Sequence, residues 1–283
     1  MGVRPDQKGN LLSRLDRLET FFFDLDGCIW FGDELAPNAA RLVARLRASG
    51  KRVAFVTNVS SATAGAVAGK LERLGIPAVA EDVMTPLTVL DRHRLLEGNP
   101  EVFLLGNEAI RATLTEAGFR LTADPEAARV VIASRDTGLT YSQLAEAATA
   151  LFSGAELLAL NLDARVPVTG GKYVPGNGAI VAALTTATGV TAEALGKPSE
   201  FYYAQALRRF SAAPATTAMI GDNLDSDIAG GNAADLLTIQ VGGDTYSQRE
   251  PAPVPDHSVA DLHGLEQLLT GTAALAQQVQ AGP

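Results

Sequence analysis

Phe21-Phe22-Phe23-Asp24-Leu25-Asp26-Gly27 ends an apolar, strand-like run in two acids. In extended geometry, residues i and i+2 share a face, so both carboxylates reach the same spot. Two like charges that close need a cation, a shared proton, or both. One acid can ligate a hard cation and attack as a nucleophile. The other can hold a proton and act as a general acid. Gly27 permits a sharp exit from the strand. The bland alternative is a solvated, turn-forming acid pair, so the rest of the chain has to decide.

Outward from this stretch, strand and helix signals alternate. Ala39–Ser49 has helical spacing, with Leu42, Val43 and Leu46 on one face and Gly50 as a stop. Arg52–Thr57 predicts a second buried strand, and Thr63–Leu74 a second helix ending at Gly75. Strand, helix, strand, helix with short links predicts βαβ units and a parallel sheet. Between Met84 and Lys197 the pattern restarts. Strands are expected at Glu101–Leu105, Arg129–Ala133 and Glu156–Ala159, and helices at Glu108–Ala117, Tyr141–Ser153 and Gly178–Thr188. The first pattern then returns, with helices at Ser199–Phe210 and Ser226–Ala233 and strands at Ala218–Ile220 and Leu237–Val241. This order predicts an α/β protein. A doubly wound parallel-sheet core is expected at 19–86 and 192–270, with a second α/β domain inserted at 87–191. Residues 1–18 read as a loose extension, and so does the tail after Gly271.

Open parallel sheets bind ligands at the carboxyl ends of their strands. Besides Asp24 and Asp26, three polar clusters fall at or near such ends. Thr57-Asn58, with Ser60 and Ser61 behind it, offers a hydroxyl and backbone amides to a phosphate oxygen, or merely caps the next helix. Gly196-Lys197-Pro198 offers a cation that could balance the acids, although a lysine before a helix is usually solvated. Ile220-Gly221-Asp222 runs a strand into an acid, and Asp225 and Asp227 follow. Helix capping accounts for Asp225 or Ser226 but not for Asp222. Carboxylates of this kind suit Mg²⁺.

Bulk composition narrows the classes. The chain has 283 residues, 47% apolar, and a formal net charge of -9, which argues against non-specific nucleic-acid binding. One cysteine, Cys28, excludes an internal disulfide and a cysteine-based zinc cluster. No apolar stretch approaches a membrane span of about 20 residues, and Met1–Asp16 lacks a signal-peptide apolar region. A cytoplasmic protein without nucleic-acid or membrane partners is expected.

The ordered set DxDG, TN, GKP and GDxxxxD resembles the haloacid dehalogenase (HAD) superfamily of phosphohydrolases. DLDGCIWFGDELAPNA, VTNVSS, GDNLDSDIAGGNAA and the inserted NLDARVPVTGGKYVPGNGAI are similar to its NagD and p-nitrophenylphosphatase branch. The likeness runs from about Phe21 to Gly243. It implies a Rossmann-like core with a cap domain, and a Mg²⁺-dependent phosphomonoesterase for a small phosphorylated metabolite. It also implies roles. Asp24 would be the nucleophile that forms an aspartyl-phosphate. Asp26 would be the general acid/base, with its backbone carbonyl facing the metal. Asp222 would be a further metal ligand, and Asp227 would hold a metal-bound water. Thr57, the Asn58 backbone and Lys197 would bind the phosphoryl group. On the cap, Asn161, Asp163, Arg165 and Lys172 are the candidates for substrate contact. Caps of this type often take part in dimers, so a homodimer through the cap is an expectation. Cys28 and Trp30 read as packing residues. The sequence departs from the branch pattern at Val59, Leu162, Ser226 and Asp235, none of which removes a catalytic group. Three other readings stay open: a phosphotransferase or mutase on the same fold, a signalling receiver domain, and a non-catalytic phosphate-binding protein. The chain is a whole domain too long for a receiver. PGNGAI lacks the spacing of a dinucleotide fingerprint.

Overall fold

The computed structural model describes residues 14–242 and 246–280, with 272–280 as backbone alone. Residues 1–13 of the expected loose extension lie outside that range, and Leu15 and Leu18, which follow, are buried. The chain divides into two compact units. The first holds Met1–Val56, Glu72–Pro77 and Tyr203–Pro283, and the second holds Thr57–Leu71 and Ala78–Tyr202. The predicted insertion, 87–191, lies wholly within the second.

The first unit carries five parallel strands. In space they run His257–Val259, Leu237–Val241, Thr217–Gly221, Thr20–Phe23, Arg52–Val56. The Thr20–Phe23 strand is central, with Thr20 paired to Thr217 on one side and to Arg52 on the other. All four of its residues are buried. This explains the unbroken apolar run, because a strand covered on both faces has no polar side to alternate with. Chain order reverses beside this strand. The next strand in sequence, Arg52–Val56, lies on one flank, and the strands from Thr217 onward lie on the other. The gap between the carboxyl ends of Thr20–Phe23 and Thr217–Gly221 is therefore the topological switch point, where open α/β sheets bind ligands. Gly27 leaves the central strand at φ 92°, and the Trp30–Phe31 and Glu34–Leu35 ribbon folds back beside it. The Leu262–Gln280 helix continues past Gly271, where the sequence reading ended order. Ala, Leu and Gln dominate this stretch, and all are good helix formers.

The second unit has its own parallel sheet, ordered Ala192–Ala194, Glu156–Ala159, Val130–Ala133, Val102–Leu105. The Tyr141–Phe152 and Asn177–Thr188 helices close its core through Ala147, Leu151, Val181 and Leu184, packed on Val131 and Leu157. Thr140 caps the first of these helices and Gln143 reaches back to the cap, which fixes where it starts. A two-stranded antiparallel ribbon, Arg165–Val168 with Lys172–Pro175, projects between the sheet's third and fourth strands in sequence. Among the described residues no helix is long and apolar enough to cross a membrane.

Candidate active site

In the first unit, two neighbouring strand ends set the acids. The Asp24 N–H donates to the Ile220 carbonyl at 2.8 Å, one step beyond the paired register, so Asp24 stands beside the exit of the Thr217–Gly221 strand. Asp222 is the first residue past that exit. Asp227 enters from the turn that follows, and its Oδ2 accepts the Asn223 N–H at 3.1 Å. One carboxylate oxygen from each of Asp24, Asp222 and Asp227 lies within 4.8 Å of the others. Asp24 and Asp227 are buried and Asp222 is partly so. At that spacing, each pair of charges repels by about 3–4 kcal/mol for an effective dielectric constant of about 20. Hydrogen bonds of ordinary strength do not offset three such terms. An all-oxygen, all-anionic donor set fits a hard divalent cation. The glycines of the two motifs make room for these carboxylates. A Cβ on Gly27 would sit 2.4 Å from Asp222 Oδ2, and one on Gly221 would sit 2.1 Å from Asp227 Oδ2.

The turn carrying Asp227 is a π-helical segment, Leu224–Ile228, followed by an α-helix at Ala229–Ala233. The sequence reading had expected a single helix from Ser226. It had also offered Asp225 or Ser226 as the cap, but Asn223 fills that role, with Oδ1 accepting the N–H groups of both. The Asp225 carboxylate instead accepts Ser247 Oγ at 2.5 Å and the Gln248 N–H at 2.7 Å, which ties those two residues to this turn. The Tyr203 hydroxyl, fully buried, lies 3.2 Å from the carbonyls of both Ser226 and Asp227.

Asp26 is half-buried and is not one of the three clustered acids. Its Oδ1 accepts the indole N–H of Trp30 at 2.8 Å, while the Gly27 N–H donates to the Trp30 carbonyl. Sequence reasoning took Trp30 for a packing residue. It is 2% exposed, which agrees, but its one polar atom is aimed at the expected acid/base. The signal available beforehand was the spacing: a ring with a donor edge follows Asp26 by four residues across a glycine turn. Cys28 is buried, its thiol directed at the Ile220 carbonyl.

The second unit gathers the remaining residues. Thr57 and Lys197 are each 1% exposed. The Thr57 N–H donates to the Met84 carbonyl, and the Tyr202 hydroxyl lies 2.7 and 2.8 Å from the Thr57 and Met84 carbonyls. Thr57 Oγ1 accepts the Val59 N–H at 3.1 Å. The Gly196 N–H donates to Leu160, carrying the ladder one step past the Ala192–Ala194 strand and delivering Lys197 at its end. Asn58 then closes on Lys197 through its side chain as well. Oδ1 accepts the Lys197 N–H at 2.8 Å and Nδ2 donates to the Lys197 carbonyl at 3.0 Å. Asn161 and Asp163 join the same cluster, while Arg165 stands on the ribbon with its guanidinium 4.1 Å from the Tyr173 ring centroid. Lys172 is exposed on that ribbon.

Comparison with known proteins agrees with this geometry. Residues 21–120 match the family described as haloacid dehalogenase-like hydrolase, and residues 194–265 the one described as HAD-hydrolase-like. The 5'-nucleotidase YutF of Bacillus subtilis is 35% identical over 222 residues, covering 78% of this chain and 86% of the relative. The 4-nitrophenylphosphatase structure from Thermotoga maritima is 30% identical with a TM-score of 0.78, covering 89% of this chain and 97% of that one. A glycerol phosphate phosphatase from Mycobacterium tuberculosis, solved with magnesium, is 32% identical with a TM-score of 0.77 over 89% of this chain and 77% of its own. The strand order, the acid triad at the switch point and these matches agree: the chain belongs to the haloacid dehalogenase-like hydrolases, in their NagD and p-nitrophenylphosphatase branch.

Proposed function

We propose that the protein is a Mg²⁺-dependent phosphatase that hydrolyses monoesters of small phosphorylated metabolites through an aspartyl-phosphate on Asp24. The observation that carries this reading is the Asp24, Asp222 and Asp227 oxygen set at the switch point of the first unit's sheet. Asp24 attacks phosphorus as the bond to the leaving oxygen breaks, and Asp26 gives that oxygen a proton. Water then cleaves the aspartyl-phosphate, Asp26 takes a proton back, and phosphate leaves. Thr57, the Asn58 backbone and Lys197 hold the phosphoryl oxygens, so positioning and charge carry most of the rate. Asp24, Asp222, Asp227 and the Asp26 carbonyl would hold the cation. When bound, Mg²⁺ adds positive charge against the phosphoryl oxygens and relieves the repulsion among the acids.

The named activities of the relatives, on nucleotides, 4-nitrophenyl phosphate and glycerol phosphate, support the monoester class and leave specificity to this chain's own residues. Arg165, stacked on Tyr173, is the proposed contact for the leaving group. A homodimer through the cap belongs to the same reading. Tyr141 and Phe152 are 86% and 69% exposed and project from nearly the same side of their helix, being about three turns apart. A cytoplasmic location, suited to the lone thiol of Cys28, completes the proposal.

A phosphate-release screen over a panel of metabolite phosphates, with Mg²⁺, Ca²⁺ or EDTA, tests it. Turnover is expected with Mg²⁺ alone and is expected to vanish in Asp24→Asn. Robust turnover by Asp24→Asn would sink the mechanism.

A further inference from the structure

Two sequence features remain outside this mechanism: Asn161-Leu162-Asp163 and the Pro175-Gly176-Asn177-Gly178 turn. Both connect to the peptide of Lys197 through Asn58, the first directly and the second by way of Asn161. The Asn58 amide has one acceptor oxygen and two donor protons. The oxygen takes the Lys197 N–H at 2.8 Å, and the protons go to the Lys197 carbonyl and to Asp163 Oδ2, both at 3.0 Å. A flipped amide would set donor against donor and oxygen against oxygen at all three contacts. Asp163 and Lys197 together therefore fix which way Asn58 points.

Asp163 is held in turn. Asn161 is 4% exposed, and neither end of its amide faces outward. Its Nδ2 donates to the Asn58 carbonyl at 2.6 Å and its Oδ1 accepts the Asp163 N–H at 3.1 Å. The Asn161 carbonyl accepts Nδ2 of Asn177, which is 1% exposed and also donates to Ala133 at the end of the second unit's Val130–Ala133 strand. The glycines permit the close approach. A Cβ on Gly178 would lie 2.2 Å from the Leu162 carbonyl, and one on Gly196 would lie 2.5 Å from Asn58 Oδ1.

We propose that Asn161 and Asp163 are positioning residues for Asn58 and Lys197, and not contacts to the leaving group. The buried Asn161 amide and the half-buried Asp163 carboxylate form a relay that runs from the cap sheet to the peptide of the phosphoryl-binding lysine. The proposal rests on the reading that Lys197 and Asn58 bind the phosphoryl group. Its signature is indifference to the leaving group: loosening the relay weakens every ligand that carries phosphate, including phosphate itself.

The test compares Mg²⁺-loaded wild type, Asp163→Ala, Asp163→Asn, Asn161→Ala and Lys197→Met. The readouts are the inhibition constant of inorganic phosphate and kcat/KM on 4-nitrophenyl phosphate and glycerol phosphate. Asp163→Ala removes a hydrogen bond to a charged group, so the phosphate inhibition constant should rise about tenfold. kcat/KM should fall by the same factor on both substrates. Asp163→Asn keeps an acceptor oxygen and should recover most of the loss. Asp163 is half-buried, so its variants carry the test if Asn161→Ala does not fold. Unchanged phosphate inhibition in Asp163→Ala, or a loss confined to one substrate, overturns the proposal. Lys197→Met separates the two levels. If it weakens phosphate while Asp163→Ala does not, only the relay fails; if it leaves phosphate unaffected, the phosphoryl-site reading falls and the relay with it.

Discussion

Replacing Trp30 with phenylalanine keeps most of the buried ring and deletes the N–H that Asp26 Oδ1 accepts. That bond is 2.8 Å long, in the range of charge-assisted contacts. Hydrogen bonds to charged groups contribute about 1.5–3 kcal/mol. If the whole bond serves to aim Asp26 at the leaving oxygen, kcat falls by about 10- to 150-fold, at 1.36 kcal/mol per decade. The loss should depend on the leaving group. An alkyl phosphate needs the proton from Asp26 and should show the full effect, whereas 4-nitrophenolate leaves without much help and should lose less than about threefold. Shrinking a side chain that is 2% exposed also costs stability, on the order of 1–2 kcal/mol. Melting temperatures therefore accompany steady-state kcat on glycerol phosphate and 4-nitrophenyl phosphate, and Trp30→Tyr serves as a second variant. Equal losses on both substrates would refute the argument, as would full activity on the alkyl ester in a folded Trp30→Phe protein.

Gly27→Ala should raise the Mg²⁺ concentration for half-maximal activity at least tenfold, because the new methyl would sit 2.4 Å from an Asp222 oxygen. The left-handed φ of 92° should add about 1–2 kcal/mol of instability; a metal titration matching wild type would count against the assigned ligand set. Stability should also fall on mild acidification. His93 is 6% exposed, and burial, aided by the charge of Arg94 and partly opposed by Glu156, holds its pKa below the usual value. Glu193 also faces its ring, 3.5 Å from Nε2. The unfolded chain takes up this proton near pH 6.5 and the folded chain only at lower pH, so stability is full above about 6.5 and declines as pH falls towards the folded value. Burial depresses His257 in the same sense. Thermal melts from pH 7.5 to 5 should show a shallower decline in His93→Gln, and identical slopes would exclude His93 as a source.

Elements whose local pattern and burial agree were legible. The Thr20–Phe23 strand is buried throughout and three of its four residues are phenylalanine because both of its faces are covered, so its end, and hence Asp24, could be located from sequence. Asp222 was found the same way, as an acid where a strand stops. The Arg165–Val168 and Lys172–Pro175 ribbon was not expected, since Pro167 and Pro175 read as loop signals; prolines are tolerated at the edges of two-stranded ribbons. Ala192–Ala194 is too short to stand out from the turn residues around it. The Asn58 clamp on Lys197 joins residues 139 apart in sequence through side-chain amides, which leave no periodic trace. Trp30 is packed as expected, and only its polar contact escaped the reading, for a different reason. Burial of a large ring was foreseeable, but the direction of its N–H depends on a glycine turn whose φ is not written in the residue pattern.

Trp30 is also the chain's single tryptophan. All of the indole fluorescence therefore arises from a ring bonded to the proposed acid/base, with no second fluorophore of its kind to dilute the signal. A change in how Asp26 is engaged alters the field at that ring and should shift its emission. The protein thus carries its own optical reporter beside the residue proposed to hand over the proton, and rapid-mixing experiments could follow turnover there without a label.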